Sequence, residues 1–391
     1  MRLAMYVDQV FWQEHGVFST DEAFILFPAS FIEAVDELTF IGRGAPEAGR
    51  APYVIADPSI RVHGLPYYPR LWDVGAVAKS APHTYRKIRE TVRYNADRWD
   101  AVVIDGPHPI GQLLARECLS HRVPVALMVR QNLIEQMRAY PGRLGQAAVA
   151  AAKLLEWDFR QLARGRPVFT VGMEMANEYA RFSSSVHHHF PCLVGADQFR
   201  MLSTKSCHAD PSRLICVGRL APERGHRFLF EAMDLLRTRG VNCHLDVVGS
   251  GELSDELPRR AAAIGLEEQV TFHGYVPYGP ALFELYQQAG TFVLPSLTEG
   301  FPQVINESLS IGLPTIASAV GGVPEFLTHE ETAMLVPPTD VGALATAIER
   351  VILEPALRDR LVANGRALMH RNTLEVNRSR ILGVLRDELC S

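Results

Sequence analysis

Pro295-Ser296-Leu297-Thr298-Glu299-Gly300-Phe301-Pro302-Gln303-Val304-Ile305-Asn306-Glu307 follows directly on the short apolar run 292–294. The run reads as a strand and the residues after Pro302 as a helix. Proline suits the first helical position, and Gly312 followed by Pro314 marks a stop, so a helix of about nine residues is predicted. A loop leading from a strand end into a helix start turns unpaired backbone amides toward whatever binds there, and phosphate oxygens are their natural partners. Glu299 precedes the helix and Glu307 lies inside it, so two carboxylates are expected at different depths of one groove.

Working outward, short β-rich runs alternate with longer segments of helical period, the signature of parallel sheets covered by helices. Toward the C-terminus strands are predicted near 214–217, 244–248, 270–272, 315–317 and 334–336. A helix over 225–239 carries the apolar stripe Leu229, Ala232, Met233, Leu236 and is ended by Gly240. The first half repeats the pattern, with strands near 3–6, 38–41, 101–104, 124–129 and 168–171 and helices over 21–34, 82–98, 110–121 and 144–163. The predicted class is α/β, with two doubly wound Rossmann-like domains: 1–192, 193–372, and a terminal helix over 373–391 that can return to the first. The hinge is expected in the aperiodic stretch 189–211. Ligands of such sheets sit beyond the carboxyl ends of strands, which predicts an active site in an interdomain cleft.

At 391 residues, 47% hydrophobic and 21% charged, the chain has the composition of a globular protein of two domains. A net charge of -5 offers no global attraction for nucleic acid. Six scattered cysteines without a Cys-x-x-Cys pair read as reduced thiols in a cytoplasmic protein. The N-terminus opens into a strand-like run rather than an export signal, and no apolar run approaches the ~20 residues of a membrane span.

A second loop carries charge. Gly218-Arg219-Leu220-Ala221-Pro222-Glu223-Arg224-Gly225 follows the strand at 214–217 and puts two guanidinium groups where bidentate phosphate contacts are made. Surface ion pairing is the plain alternative for both arginines.

Together these segments resemble the retaining GT-B glycosyltransferases of the glycosyltransferase-4 type. The resemblance rests on Val-Gly-Arg-Leu-x-Pro-Glu-Arg-Gly at 217–225, His273-Gly274, Glu-Gly-Phe-Pro at 299–302 with Glu307 eight positions after Glu299, Gly-Leu-Pro at 312–314, Gly-Gly-Val-Pro-Glu at 321–325 and Val-Pro-Pro-Thr-Asp at 336–340. It implies a transferase that moves a sugar from a nucleotide diphosphate sugar donor to a glycan, lipid-linked or small-molecule acceptor, with front-face displacement and retention. Arg219 and Arg224 would hold the diphosphate, with Gly218 beside them and arginine at 224 where the family usually has lysine. Glu299 would hold hydroxyls of the transferred sugar and Glu307 the ribose diol. Gly300, Phe301, Pro302, Gln303 and Val304 would meet the sugar or phosphates, and His273 would line the site. No Asp-x-Asp occurs in the chain, so neither a metal nor another cofactor is expected.

The first half departs from the family. Its first loop, Asp8 to Gly16, ends in a single glycine, Gly16, where a Gly-Gly pair is usual, and Arg130 stands at a usual histidine position. His108, in Asp105-Gly106-Pro107-His108-Pro109, is a further catalytic candidate; the alternative is a turn residue at a helix start. Asp21 and Glu22 read as helix caps. His187-His188-His189 on an extended segment cannot all face one metal, and Gly249-Ser250-Gly251 reads as a turn. Basic residues between 138 and 166 are a candidate for peripheral contact with the inner face of a membrane, set against an ordinary solvated face. A nucleotide-sugar epimerase or hydrolase, or a catalytically silent donor-binding subunit, are the competing readings.

Overall fold

The computed structural model describes residues 1–68, 74–130, 132–138, 142–204 and 210–390. It divides into two units, Met1–His189 with Asn377–Ser391, and Phe190–Val376. The division falls three residues before the sequence-based boundary at 192/193, because the extended residues Val186–His189 belong to the first sheet as a strand.

The strands of the first unit are β1 (Arg2–Glu14), β2 (Val17–Thr20), β3 (Glu37–Gly44), β4 (Tyr53–Ile55), β5 (Ile60–Leu65), β6 (Ala101–Gly106), β7 (Val125–Val129), β8 (Val168–Val171) and β9 (Val186–His189). Pairing runs β5-β3-β1-β6-β7-β8-β9, all parallel, while the far end of β1 turns back on β2 and β4 as an antiparallel flap. Counted in chain order, the central strands follow the doubly wound 3-2-1-4-5-6 order, and the direction of winding reverses between β1 and β6. The core is built by Ile104, Leu114, Leu127, Phe159 and Tyr179, among others.

Local departures have physical causes. The expected helix over 21–34 is three short turns, Ala23–Ile25, Leu26–Ala29 and Ser30–Ala34, with Pro28 in the middle one, where it cannot donate a helical bond. The helix expected from Pro82 begins earlier and spans Val74–Asn95, so the proline is interior rather than initial.

The second unit is a six-stranded parallel sheet, β12-β11-β10-β13-β14-β15, built from β10 (Arg213–Val217), β11 (His244–Val248), β12 (Val270–Gly274), β13 (Thr291–Leu294), β14 (Thr315–Ser318) and β15 (Met334–Val336). Its order is again 3-2-1-4-5-6, reversing between β10 and β13. Two apolar clusters cover the faces of this sheet, one around Leu229, Phe230, Leu236 and Ile348, the other around Tyr286, Phe292, Ile305 and Leu309.

Candidate functional site

The loops at the second unit's reversal point are the two singled out from the sequence. Arg224 ends the short turn Pro222–Arg224 after β10, and its guanidinium is ion-paired with Glu299 in the loop after β13. Ser296 donates its hydroxyl to the same Glu299 oxygen at 2.7 Å. Glu299 is only 6% exposed as a side chain, so the pair is a buried one. Arg219 is different: its side chain is 65% exposed and pairs with Glu223 one turn on, at 2.7 Å. Both arginines therefore have carboxylate partners in this chain, and the Arg224 partner is the residue expected to hold the sugar.

Backbone closeness locks these loops together. Gly225 is left-handed (φ 67°), and a Cβ there would lie 2.1 Å from the carbonyl oxygen of Pro295. Leu297 donates its amide to the Glu223 carbonyl at 2.7 Å, and Gly322 donates to the Gly300 carbonyl at 2.8 Å. Gly218 closes the end of β10 through its amide on Val248.

The helix expected after Pro302 is present as Gln303–Ile311, with extended Pro302 as its N-cap and left-handed Gly312 as its C-cap. The first-turn amides of Gln303 and Val304 have no intrahelical acceptor. Two side chains here have structural partners. Gln303 donates to the Pro191 carbonyl at 2.7 Å, and Phe301 sits in a trio with Phe190 and Phe326 at 4.9 and 4.7 Å between ring centroids.

Glu307 is 4% exposed, with the Tyr286 hydroxyl donating to it at 2.8 Å. Burial pushes its carboxyl up to about 7, against the lowering effect of the Tyr286 hydrogen bond. A solvated helix face does not describe it: it is a buried carboxylate fixed by Tyr286, a partner with no local sequence signal because it lies 21 positions away on another helix. His273 also has a partner in this chain. It lies within β12 and bonds Asp246 at 2.7 Å, with Arg213 on the other carboxylate oxygen at 3.1 Å, so it completes a cross-strand hydrogen-bonded triad.

At the first unit's reversal point a second polar cluster appears. His108 caps the helix Pro109–Ser120, its Nδ1 accepting from the Ile110 amide at 3.3 Å and facing the Tyr6 hydroxyl at 2.7 Å. That amide can only donate, so the ring proton is assigned to Nε2, which faces Tyr68 at 3.3 Å and Asp8 at 3.4 Å. Burial holds His108 below its ordinary value, opposed by Asp8. His108 is thus a buried, neutral positioning group. The group it holds, Asp8, is 32% exposed and is also bonded by Tyr68 at 2.9 Å and Arg43 at 3.0 Å. Asp8 sits where the β1–β3 pairing shifts between Tyr6 and Val10. In the sequence it was the unremarkable first residue of a loop.

Arg130 makes a two-point contact with Asp105 at 2.6 and 3.1 Å and lies 4.2 Å over the Phe24 ring, so it neutralises a buried carboxylate where a histidine was expected. Glu22, read as a cap, makes no cap bond; its carboxyl is pushed up by burial, with Arg130 opposing. Gly16 requires correction. The first loop is not a glycine turn at a strand end: β1 continues to Glu14, and Gly16 (φ 83°) is the exposed hairpin tip, with nothing within 4 Å of a Cβ. Four further strand residues, 11–14, place it more than about 13 Å along the strand beyond Val10.

Comparison with known proteins follows these lines. Residues 204–368 match the family model described as glycosyl transferases group 1. The chain is 32% identical over 157 residues to the uncharacterised glycosyltransferase MJ1607 of Methanocaldococcus jannaschii, covering 40% of each chain. It is 30% identical over 186 residues to the alpha-D-kanosaminyltransferase of Streptomyces kanamyceticus, covering 45% of this chain and 47% of that protein. The match thus spans less than half the length of these relatives. Among solved structures, sucrose-phosphate synthase (tll1590) from Thermosynechococcus elongatus aligns with a TM-score of 0.72 at 20% identity over 100% of this chain and 99% of that one. Anabaena Alr3699/HepE in complex with UDP aligns at 0.69 and 15% identity over 99% and 100%. The fold is that of the GT-B glycosyltransferases, and the resemblance drawn from the motifs between 217 and 340 is to the same group that the family model describes.

Proposed function

We propose that the chain is a glycosyltransferase that moves a sugar from a nucleoside diphosphate donor to an acceptor hydroxyl with retention at the anomeric carbon and without a metal ion. The observation that carries this reading is the pairing of Arg224 with Glu299 across the two loops at the reversal point of the second sheet, the second of which leads into the helix Gln303–Ile311.

The chemistry follows from the charges. Without donor, Arg224 is neutralised by Glu299 and Arg219 by Glu223. A diphosphate would draw both guanidiniums toward itself, and Glu299 would exchange its arginine for hydroxyls of the transferred sugar. The bond from the anomeric carbon to the phosphate oxygen breaks as the acceptor oxygen bonds the same carbon, and the acceptor proton passes to the departing phosphate. Developing charge on that phosphate is met by fixed cations and amides, the usual dominant contribution to such catalysis. The absence of Asp-x-Asp supports metal independence. The HepE structure in complex with UDP supports a nucleotide-bearing donor. Asp8, oriented by His108 and Tyr68, is the matching contact on the acceptor side.

A panel of UDP-, GDP-, ADP- and dTDP-sugars, read by thermal shift and then by nucleotide release with glycan and lipid-linked acceptors, tests the reading. One donor class should raise the melting temperature and release nucleotide in the presence of EDTA, with a product of unchanged anomeric configuration by NMR. Transfer abolished by EDTA and restored by Mn²⁺ removes the metal-free mechanism. Donor epimerised without acceptor removes the transferase.

A further inference from the structure

A cavity of about 480 Å³ opens on the first unit, and neither Asp8 nor His108 lines it. Its wall includes His83, Arg86 and Lys87, three donors spaced i, i+3, i+4 on one face of the helix Val74–Asn95, facing Gly44 at the end of β3 and Tyr67. The helix carries Lys79, Arg86, Lys87, Arg89 and Arg93 against Glu90 alone, in a protein whose net charge is -5. Glu90 also lines the cavity, yet it reaches Arg86 only at 3.9 Å with both side chains largely exposed, a weak and screened pair. Among the described residues no carboxylate is paired with His83 or Lys87. Gly44 and Tyr67 are the chain neighbours of Arg43 and Tyr68, which hold Asp8.

We infer that this cavity binds a phosphate monoester or diester group of the acceptor, clamped by Arg86, Lys87 and His83 so that an acceptor hydroxyl is presented at Asp8. A forked guanidinium beside a point-charge ammonium suits a tetrahedral oxyanion better than a neutral glycan. The identity of the anion as part of the acceptor rests on the transferase reading above; the anion site itself does not.

The test separates the two. Calorimetric titration of the protein, without donor, uses inorganic phosphate and glycerol 3-phosphate, with glycerol as the uncharged control. Sedimentation with phosphatidylcholine vesicles, with and without phosphatidylglycerol, distinguishes a lipid source from a free ester. Binding of the phosphate-bearing probe is expected in at least one arm, with none to glycerol or neutral vesicles. Arg86→Ala and Lys87→Ala should each weaken it about tenfold, the size of one charge-assisted contact. Lys79→Ala and Arg93→Ala, on the same helix outside the cavity, should leave it within twofold. All four positions are exposed, so the variants keep the fold, as melting curves will show. No binding in either arm, or equal weakening by the outer pair, overturns the site. Thermal shift by a nucleotide sugar in the same sample keeps that outcome distinct from failure of the transferase reading.

Discussion

Removing Arg224 is expected to do two separable things. It takes a cation from the donor site, and it strands Glu299, whose side chain is 6% exposed and otherwise held by Ser296. Breaking a buried pair from one side costs about 3–5 kcal/mol, so Arg224→Ala should melt measurably lower. Arg219→Ala should melt like the parent, since an exposed i,i+4 pair contributes under ~0.5 kcal/mol, while transfer falls about 10²–10³-fold. The discriminating variant is Arg224→Ala/Glu299→Gln: its melting temperature should recover and its transfer should not. Glu307 gives a pH signature. Its folded carboxyl titrates at about 7, above the 4.5 of an exposed glutamate, so the folded state binds the proton more tightly and stability contributed by this group falls as pH rises from 4.5 through 7. Glu307→Gln should therefore gain about 2–3 kcal/mol relative to the parent at pH 8 and little at pH 4, by denaturant unfolding at both.

At the level of elements, the site is made by loops that touch through glycines. Gly225→Ala must place a methyl 2.1 Å from the Pro295 carbonyl at a left-handed φ, so the β10 and β13 loops have to part. A loss of roughly 2 kcal/mol or more and a collapse of donor affinity are expected from unfolding and thermal-shift titrations. Gly16→Ala has the same backbone sign but open space, and should cost about 1 kcal/mol with transfer unchanged. These two outcomes also mark what the sequence could show. The second unit was legible almost strand for strand because most of its parallel strands are short apolar runs followed by a glycine or proline, as Thr291–Leu294 is by Pro295. The first unit was legible only in its central strands. Its antiparallel flap at β2 and β4 is only four and three residues long, and the shift in β1 at Asp8 is a tertiary event between neighbouring strands. Partners far apart in sequence, Tyr286 for Glu307 or Asp246 for His273, leave no local pattern at all.

For the molecule as a whole, chain order and folding unit disagree. The helix Leu374–Leu389 starts among residues of the second unit, where the Leu374 amide bonds the Val194 carbonyl, and from Asn377 onward belongs to the first. There Arg378 bonds Glu33 at 2.6 Å and the Ser30 carbonyl at 2.7 Å, and Glu388 accepts from Ser185 at 2.6 Å. Ile381, Leu382 and Leu385 are buried. At about 1.5–3 kcal/mol for each buried aliphatic side chain, this segment supplies on the order of 5 kcal/mol to the first unit, comparable to the whole stability of a modest domain. A chain ending at Val376 should therefore lose the first unit's unfolding transition, or show it at sharply lower denaturant, while the second unit's transition stays where it was. Tyrosine fluorescence cannot separate them, but hydrogen exchange can: amides of β6 and β7 should lose protection and those of β10 and β13 keep it. Supplying residues 377–391 as a separate peptide should restore the lost protection in proportion to its concentration, because the same contacts would then be made by mass action. Equal loss in both sheets would mean that the helix supports the molecule through the second unit instead, and that the terminal segment is not a part of the first.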